Sequence, residues 1–197
     1  MKNLLRSIEN LKKNKISNLI NSRIKEFKTK NSDNELFKEL CFCILTANFN
    51  AEKTIKIQEE INDDFLTLPE SELSNKLKEF GHRYPNARTK YIIEARKYKD
   101  SLKNKSRGWL IKNIKGLGYK EASHFLRNIG HNDYAIIDFH IIDVLIKNNL
   151  IEKPKTLTKT KYLEIESLLK EISEKSNLSL AELDLYLWYT ETGKILK

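Results

Sequence analysis

Lys120 and Asp138 are the two side chains whose types and spacing could do chemistry together. The carboxylate follows the amine by eighteen residues in the stretch IKGLGYKEASHFLRNIGHNDYAIIDFHI, residues 114–141. A neutral lysine amine is a nucleophile, and a carboxylate steadies positive charge as it develops at a reacting carbon. Just before the lysine stands Gly116-Leu117-Gly118, between two helical patterns. Two glycines so close allow a tight turn with positive φ and leave backbone N–H groups uncovered beside the next helix, which suits a phosphate oxygen. Each piece also has a plainer reading. Lys120 alone is a solvated surface lysine, and Asp138 is an N-cap for the amphipathic run Phe139–Leu150. His140 is a packing or surface histidine, and the glycine turn an ordinary connection between helices.

The elements that must position these residues read as helices from end to end. Apolar residues recur at helical spacing, and no stretch alternates convincingly like a strand. Leu36, Leu40, Cys41, Ile44 and Leu45 share one face, behind a capping box formed by Ser32 and Glu35. Pro69 opens a helix that runs through about Phe80, and Ala87–Leu102 reads as the next. Tyr162, Ile165, Leu169 and Ile172 line a face further on, and Ser179 with Glu182 forms a second capping box before Leu180, Leu183 and Leu187. No internal repeat or low-complexity linker is visible. Pro154, in the polar stretch EKPKT, is the expected crossing between lobes.

Composition narrows the classes further. With 197 residues, 40% hydrophobic and 32% charged, the chain can bury a core and is not of the disordered kind. Only 6 Gly and 3 Pro disfavour a sandwich or barrel made of many tight turns. No apolar run reaches membrane-span length, the N-terminus lacks a signal-peptide core, and two cysteines give no disulfide framework, so an intracellular setting is expected. Lys and Arg total 36 against 27 acidic residues, a formal +9 that favours a polyanionic partner. A lysine-rich genome would produce the same excess without any nucleic-acid ligand.

Taken together, the glycine turn, the lysine just beyond it and Ile137-Asp138-Phe139-His140 closely resemble the helix–hairpin–helix DNA glycosylases, with Lys115 replacing the common proline before the first glycine. Within that superfamily the chain is most similar to the archaeal-type (second type) 8-oxoguanine DNA glycosylase/AP lyases. ELCFCILTANFNAE resembles the family's helix and minor-groove loop, KYIIEAR its middle helix, and LDLYLWYTETGKILK its C-terminal helix and terminal lysine. The iron–sulfur branch of the superfamily is excluded as a cluster protein, because two cysteines cannot supply four thiolates.

The resemblance implies an all-α, bilobed fold with the active site in the cleft. It implies one glycosylase unit over residues 1–197, with hairpin and catalytic segment at about 109–141. It makes Lys120 the nucleophile, Asp138 the catalytic carboxylate, and Gly116, Gly118 and His140 contacts to the DNA backbone. Asn48 would fill the vacated stack or touch the orphaned cytosine, which Arg88 could also reach. Their plain alternatives are a helix cap for Asn48 and surface charge for Arg88. Tyr84 and Trp188 would flank the extruded base, although Trp188 also suits a core. Lys197 would distinguish 8-oxoguanine from guanine through a carboxylate that accepts the N7–H of the oxidised base; its plain alternative is a solvated tail. The implied reaction is base excision followed by β-elimination through a Schiff base. It calls for no metal and no cofactor, and its substrate is double-stranded DNA carrying 8-oxoguanine or abasic sites. A monomer without membrane attachment is expected. Two other readings stay open: a non-catalytic helix–hairpin–helix DNA-binding protein, and a glycosylase for a different oxidised base.

Overall fold

The computed structural model describes residues 1–30 and 32–197, and among them every regular element is helical. The helices are α1 (Lys2–Lys12), α2 (Ile16–Phe27), α3 (Asp33–Thr46), α4 (Ala51–Ile61), the short α5 (Asp64–Thr67), α6 (Glu70–Glu79) and α7 (Pro85–Ala95). A 3-10 stretch, Arg96–Ser101, precedes α8 (Arg107–Asn113), α9 (Tyr119–Asn128), α10 (Phe139–Lys147), α11 (Lys159–Lys175) and α12 (Leu180–Thr192). None of these helices is long and apolar enough to cross a membrane.

The chain forms two compact units, a central one of residues 30–125 and a terminal one made of residues 1–29 and 126–197. Pro154 therefore does not mark a crossing. It lies inside the terminal unit, in the connection between α10 and α11, and the chain passes between units after Thr29 and after Phe125. A polar stretch with proline signals a loop, but local composition does not reveal which elements that loop joins.

The central unit is organised around α3. Its capping box is complete, with Ser32 Oγ accepting from the Glu35 N–H at 3.3 Å and Glu35 accepting from the Ser32 N–H at 3.1 Å. Beyond that cap nearly every residue from Leu36 to Thr46 is buried, including both cysteines. A helix apolar on all sides must be surrounded, and α4, α5, α7 and the 3-10 stretch pack on it. Glu39 is the exception in that helix, and it is buried with its carboxylate 3.0 Å from Lys30 Nζ. The helix expected over Ala87–Leu102 begins two residues earlier, with Pro85 at its first position, and tightens to 3-10 at Arg96. Arg96 Nε donates to the Phe65 carbonyl at 2.9 Å at that point.

In the terminal unit, Ile20, Ile24 and Phe27 of α2 meet Ala181, Leu185 and Tyr186 of α12 in one cluster, with Ile195 packed against it. Tyr162, Ile165, Leu169 and Ile172 are buried as their spacing implies, and the Ser179–Glu182 box is closed. Gly193 ends α12 in the left-handed conformation that such caps favour.

Candidate active site

The hairpin of the central unit runs from α8 through Gly116 into α9. Gly116 has φ +85°, and a Cβ there would lie 2.6 Å from Cδ2 of the Tyr91 ring, so both backbone and space demand glycine. Gly118 accepts the first helical bond of α9 from the Ala122 N–H, and its own N–H donates to Glu121 Oε2 at 3.1 Å. The expectation of uncovered turn amides is thus modified: a carboxylate already sits on one of them. Lys120 is in the first turn of α9, partly exposed, with Nζ 3.4 Å from the other oxygen of Glu121.

A second group of central-unit residues surrounds the exit of α3. Asn48 is exposed and left-handed at φ +58°, a conformation asparagine tolerates. It is not a helix cap. That role belongs to Asn50, whose side chain accepts from the Lys53 N–H at 3.0 Å. Tyr84 is 38% exposed at the start of α7. His82 is buried beneath it, with Nε2 3.0 Å from the Leu45 carbonyl and Nδ1 accepting from the Tyr84 N–H at 3.1 Å. This pairing assigns the proton to Nε2 and keeps the ring neutral. Burial pushes the His82 pKa below its usual value; the Leu45 carbonyl opposes that shift, and Arg88 adds to it. Surface charge does not describe Arg88, which is buried and donates through Nη2 to the Ala47 carbonyl at 2.7 Å.

The terminal unit holds the remaining candidates. Asp138 is the N-cap of α10, its Oδ1 accepting from the Ile141 N–H at 3.0 Å. The segment leading to it is pinned by α11. Tyr162 donates to the Ala135 carbonyl at 2.7 Å and accepts from the Ile137 N–H at 3.3 Å, while Glu166 accepts from the Ala135 N–H at 3.1 Å. His140 stands edge-on to Trp188, with ring centroids 4.5 Å apart. Trp188 is half-buried, and its indole N–H has no hydrogen-bond partner among the described residues. Below them Arg127 pairs with Asp184 and turns its other nitrogens to Asn128, donating from Nε at 3.0 Å and from Nη2 at 2.9 Å. Burial pushes Asp184 up to about 6 against the pull of Arg127, with the charge of Asp138 adding to the rise. Lys197 is partly buried, two residues beyond the packed Ile195.

A family model described as 8-oxoguanine DNA glycosylase matches residues 20–178. An 8-oxoguanine DNA glycosylase/AP lyase of Methanocaldococcus jannaschii is 56% identical, the match covering 98% of this chain and 99% of that protein. A protein of the same description from Korarchaeum cryptofilum is 52% identical over 98% of each chain. The crystal structure of the M. jannaschii 8-oxoguanine glycosylase/lyase in complex with a 15mer DNA containing 8-oxoguanine matches with a TM-score of 0.94 at 54% identity, covering 98% of this chain and 99% of that one.

The chain belongs to the 8-oxoguanine DNA glycosylase family.

Its fold is accordingly the all-α helix–hairpin–helix glycosylase fold that the resemblance implies. Lys120 and Asp138 belong to different units of this glycosylase, Lys120 to the central and Asp138 to the terminal one. Sequence reasoning missed two residues beside the candidates. Glu121 was legible in principle, since a carboxylate three residues after an N-cap is a known helix-start pattern. His82 carried no such signal, because its partner carbonyl is 37 residues away.

Proposed function

We propose that this glycosylase excises 8-oxoguanine from duplex DNA and then cleaves the strand at the resulting abasic site. The observation that carries the lyase step is the placement of Lys120 in the first turn of α9, directly behind the Gly116 turn. In this reading the extruded nucleotide presents C1′ to the lysine, since the base is unreachable inside the stack. The neutral amine forms a bond to C1′ as the bond to the base breaks. The departing base takes up a proton, and the amine loses one. Asp138 steadies the positive charge that develops on the sugar, and its cap on α10 keeps the carboxylate oriented. The C1′–O4′ bond then breaks, O4′ taking up a proton, and the opened sugar is held as an imine that acidifies C2′. Loss of the C2′ proton breaks the bond from C3′ to its phosphate oxygen, and the phosphate leaves, completing the β-elimination.

The other candidates take supporting roles. Gly116, Gly118 and His140 contact phosphates, which positions DNA without reading sequence. Asn48 fills the vacated stack, while Tyr84 and Trp188 hold the base by stacking worth about 1–3 kcal/mol per contact. Lys197 separates 8-oxoguanine from guanine. The protein acts as a monomer, without metal or cofactor, inside the cell where its DNA substrate is.

Incubation with an 8-oxoguanine duplex and borohydride tests the reading, because reduction traps the imine as a covalent adduct. Wild type yields the adduct. Lys120→Gln retains DNA binding and yields none. Binding without any wild-type adduct would return the chain to a non-catalytic DNA-binding module, and normal trapping by Lys120→Gln would remove that lysine as nucleophile.

A further inference from the structure

Arg88 is the most constrained cation of the central unit. The residue is 8% exposed, yet no carboxylate pairs with it among the described residues. Its charge is met instead by the Ala47 carbonyl and by two aromatic faces, with the Tyr84 and Tyr91 ring centroids each 5.7 Å from the guanidinium carbon. Nη1 stands 3.5 Å from the place a Gly116 Cβ would occupy, and Nε is buried without a hydrogen-bond partner among the described residues. An uncompensated guanidinium is costly to hold away from water, so a side chain kept this way must gain from its neighbours. Its neighbours are three features of separate sequence origin. Ala47 immediately precedes the left-handed Asn48, Tyr84 presents its exposed ring, and Gly116 forms the hairpin turn.

We propose that Arg88 is a positioning residue for base extrusion, a strut that sets the Asn48 loop and the Tyr84 ring against the Gly116 turn. The inference rests on the excision activity proposed above and adds a role that a direct contact with the orphaned cytosine would not have. Lysine cannot reproduce it, because one ammonium cannot lie flat between two rings while reaching a carbonyl. His82 ties the same two loops together from below, through Leu45 and Tyr84, so the frame has two independent fastenings.

The discriminating experiment uses two substrates. Asn48 and Tyr84 act on a base and its stack, so a duplex that is already abasic makes far less demand on them. Arg88→Met should slow single-turnover excision of 8-oxoguanine by about 10- to 100-fold, the range expected when catalytic groups are misplaced by an ångström or less. Schiff-base trapping on abasic duplex should lose at least tenfold less. If Arg88→Met does not fold, Arg88→Lys is read the same way, with a loss of excision of about tenfold. Equal losses on the two substrates would make Arg88 a purely structural residue and overturn the proposal. A loss confined to duplexes with cytosine opposite the lesion would overturn it in favour of direct base contact. Wild-type protein inactive on both substrates would instead refute the excision reading itself.

Discussion

Two buried cations, Arg127 of the terminal unit and Arg88 of the central one, are held in opposite ways. In the terminal unit charge meets charge, with Arg127 paired to Asp184 and bonded to Asn128 between α9 and α12. Beside the loops of the central unit, His82 and Arg88 are satisfied by main-chain carbonyls, those of Leu45 and Ala47. The ion pair lies buried between two helices and touches no exposed loop, so its natural readout is stability. The carbonyl tethers hold loops whose tips, Asn48 and Tyr84, are exposed, so their readout is loop geometry and with it activity. Asp138 and Lys120 differ in the same sense. The carboxylate is locked into a helix cap on a segment pinned by α11, while the lysine is met by a partly exposed ion pair with its neighbour Glu121.

The largest expected effect tests the ion pair. Asp184→Ala should cost about 3–5 kcal/mol, because it strands the buried Arg127 cation. Urea unfolding measures this, and a cost below 1 kcal/mol would erase the contrast between the two arginines. The pair also has a pH signature. Asp184 is raised from 3.8 to about 6 in the folded state, so the folded protein holds the extra proton between those values. Protonation of Asp184 in the folded state therefore adds stability that is complete below 3.8 and is lost as pH rises through about 6.

His82 should behave with the opposite sign. His82→Leu leaves the Tyr84 N–H and the Leu45 carbonyl unpaired, at a cost of about 1–3 kcal/mol. In wild type the folded pKa lies below the ordinary 6.5, so the stabilising contribution is complete above that value and is lost as pH falls from it through the folded value. Unfolding free energies of wild type and His82→Leu, compared across mildly acid pH, should converge as pH falls. Parallel curves would mean the ring is not held neutral.

The smallest effect concerns Glu121. Glu121→Gln keeps an acceptor for the Gly118 N–H but removes the negative charge from the turn and from Lys120, so duplex DNA should bind a few-fold tighter, about 0.3–1 kcal/mol. Fluorescence anisotropy at fixed salt checks it. Unchanged affinity would argue that the Gly118 amide is not a phosphate seat.

Much of the helical scaffold was legible from residues close in sequence. Both capping boxes close as read, because the partners are three residues apart and the bond is made within one turn. The buried face of α11 also followed from spacing alone. Boundaries set by distant partners were not legible. The helix after Tyr84 tightens where Arg96 reaches a carbonyl 31 residues away, and Pro154 sits inside a unit although its neighbourhood reads as a junction.

By itself the sequence determined the helical class, the caps, the glycine at Gly116 and the family, because these follow from periodicity, local hydrogen bonds and motif order. Tertiary structure alone decided that Arg88 is buried against the Ala47 carbonyl rather than surface charge, and that His82 accepts from the Tyr84 N–H. It also placed Asn48 in a left-handed loop and handed the cap to Asn50. The reason is one of range. A cap is chosen by atoms on its own turn, whereas a buried guanidinium 41 residues from its carbonyl acquires that partner only when the helices between them have packed.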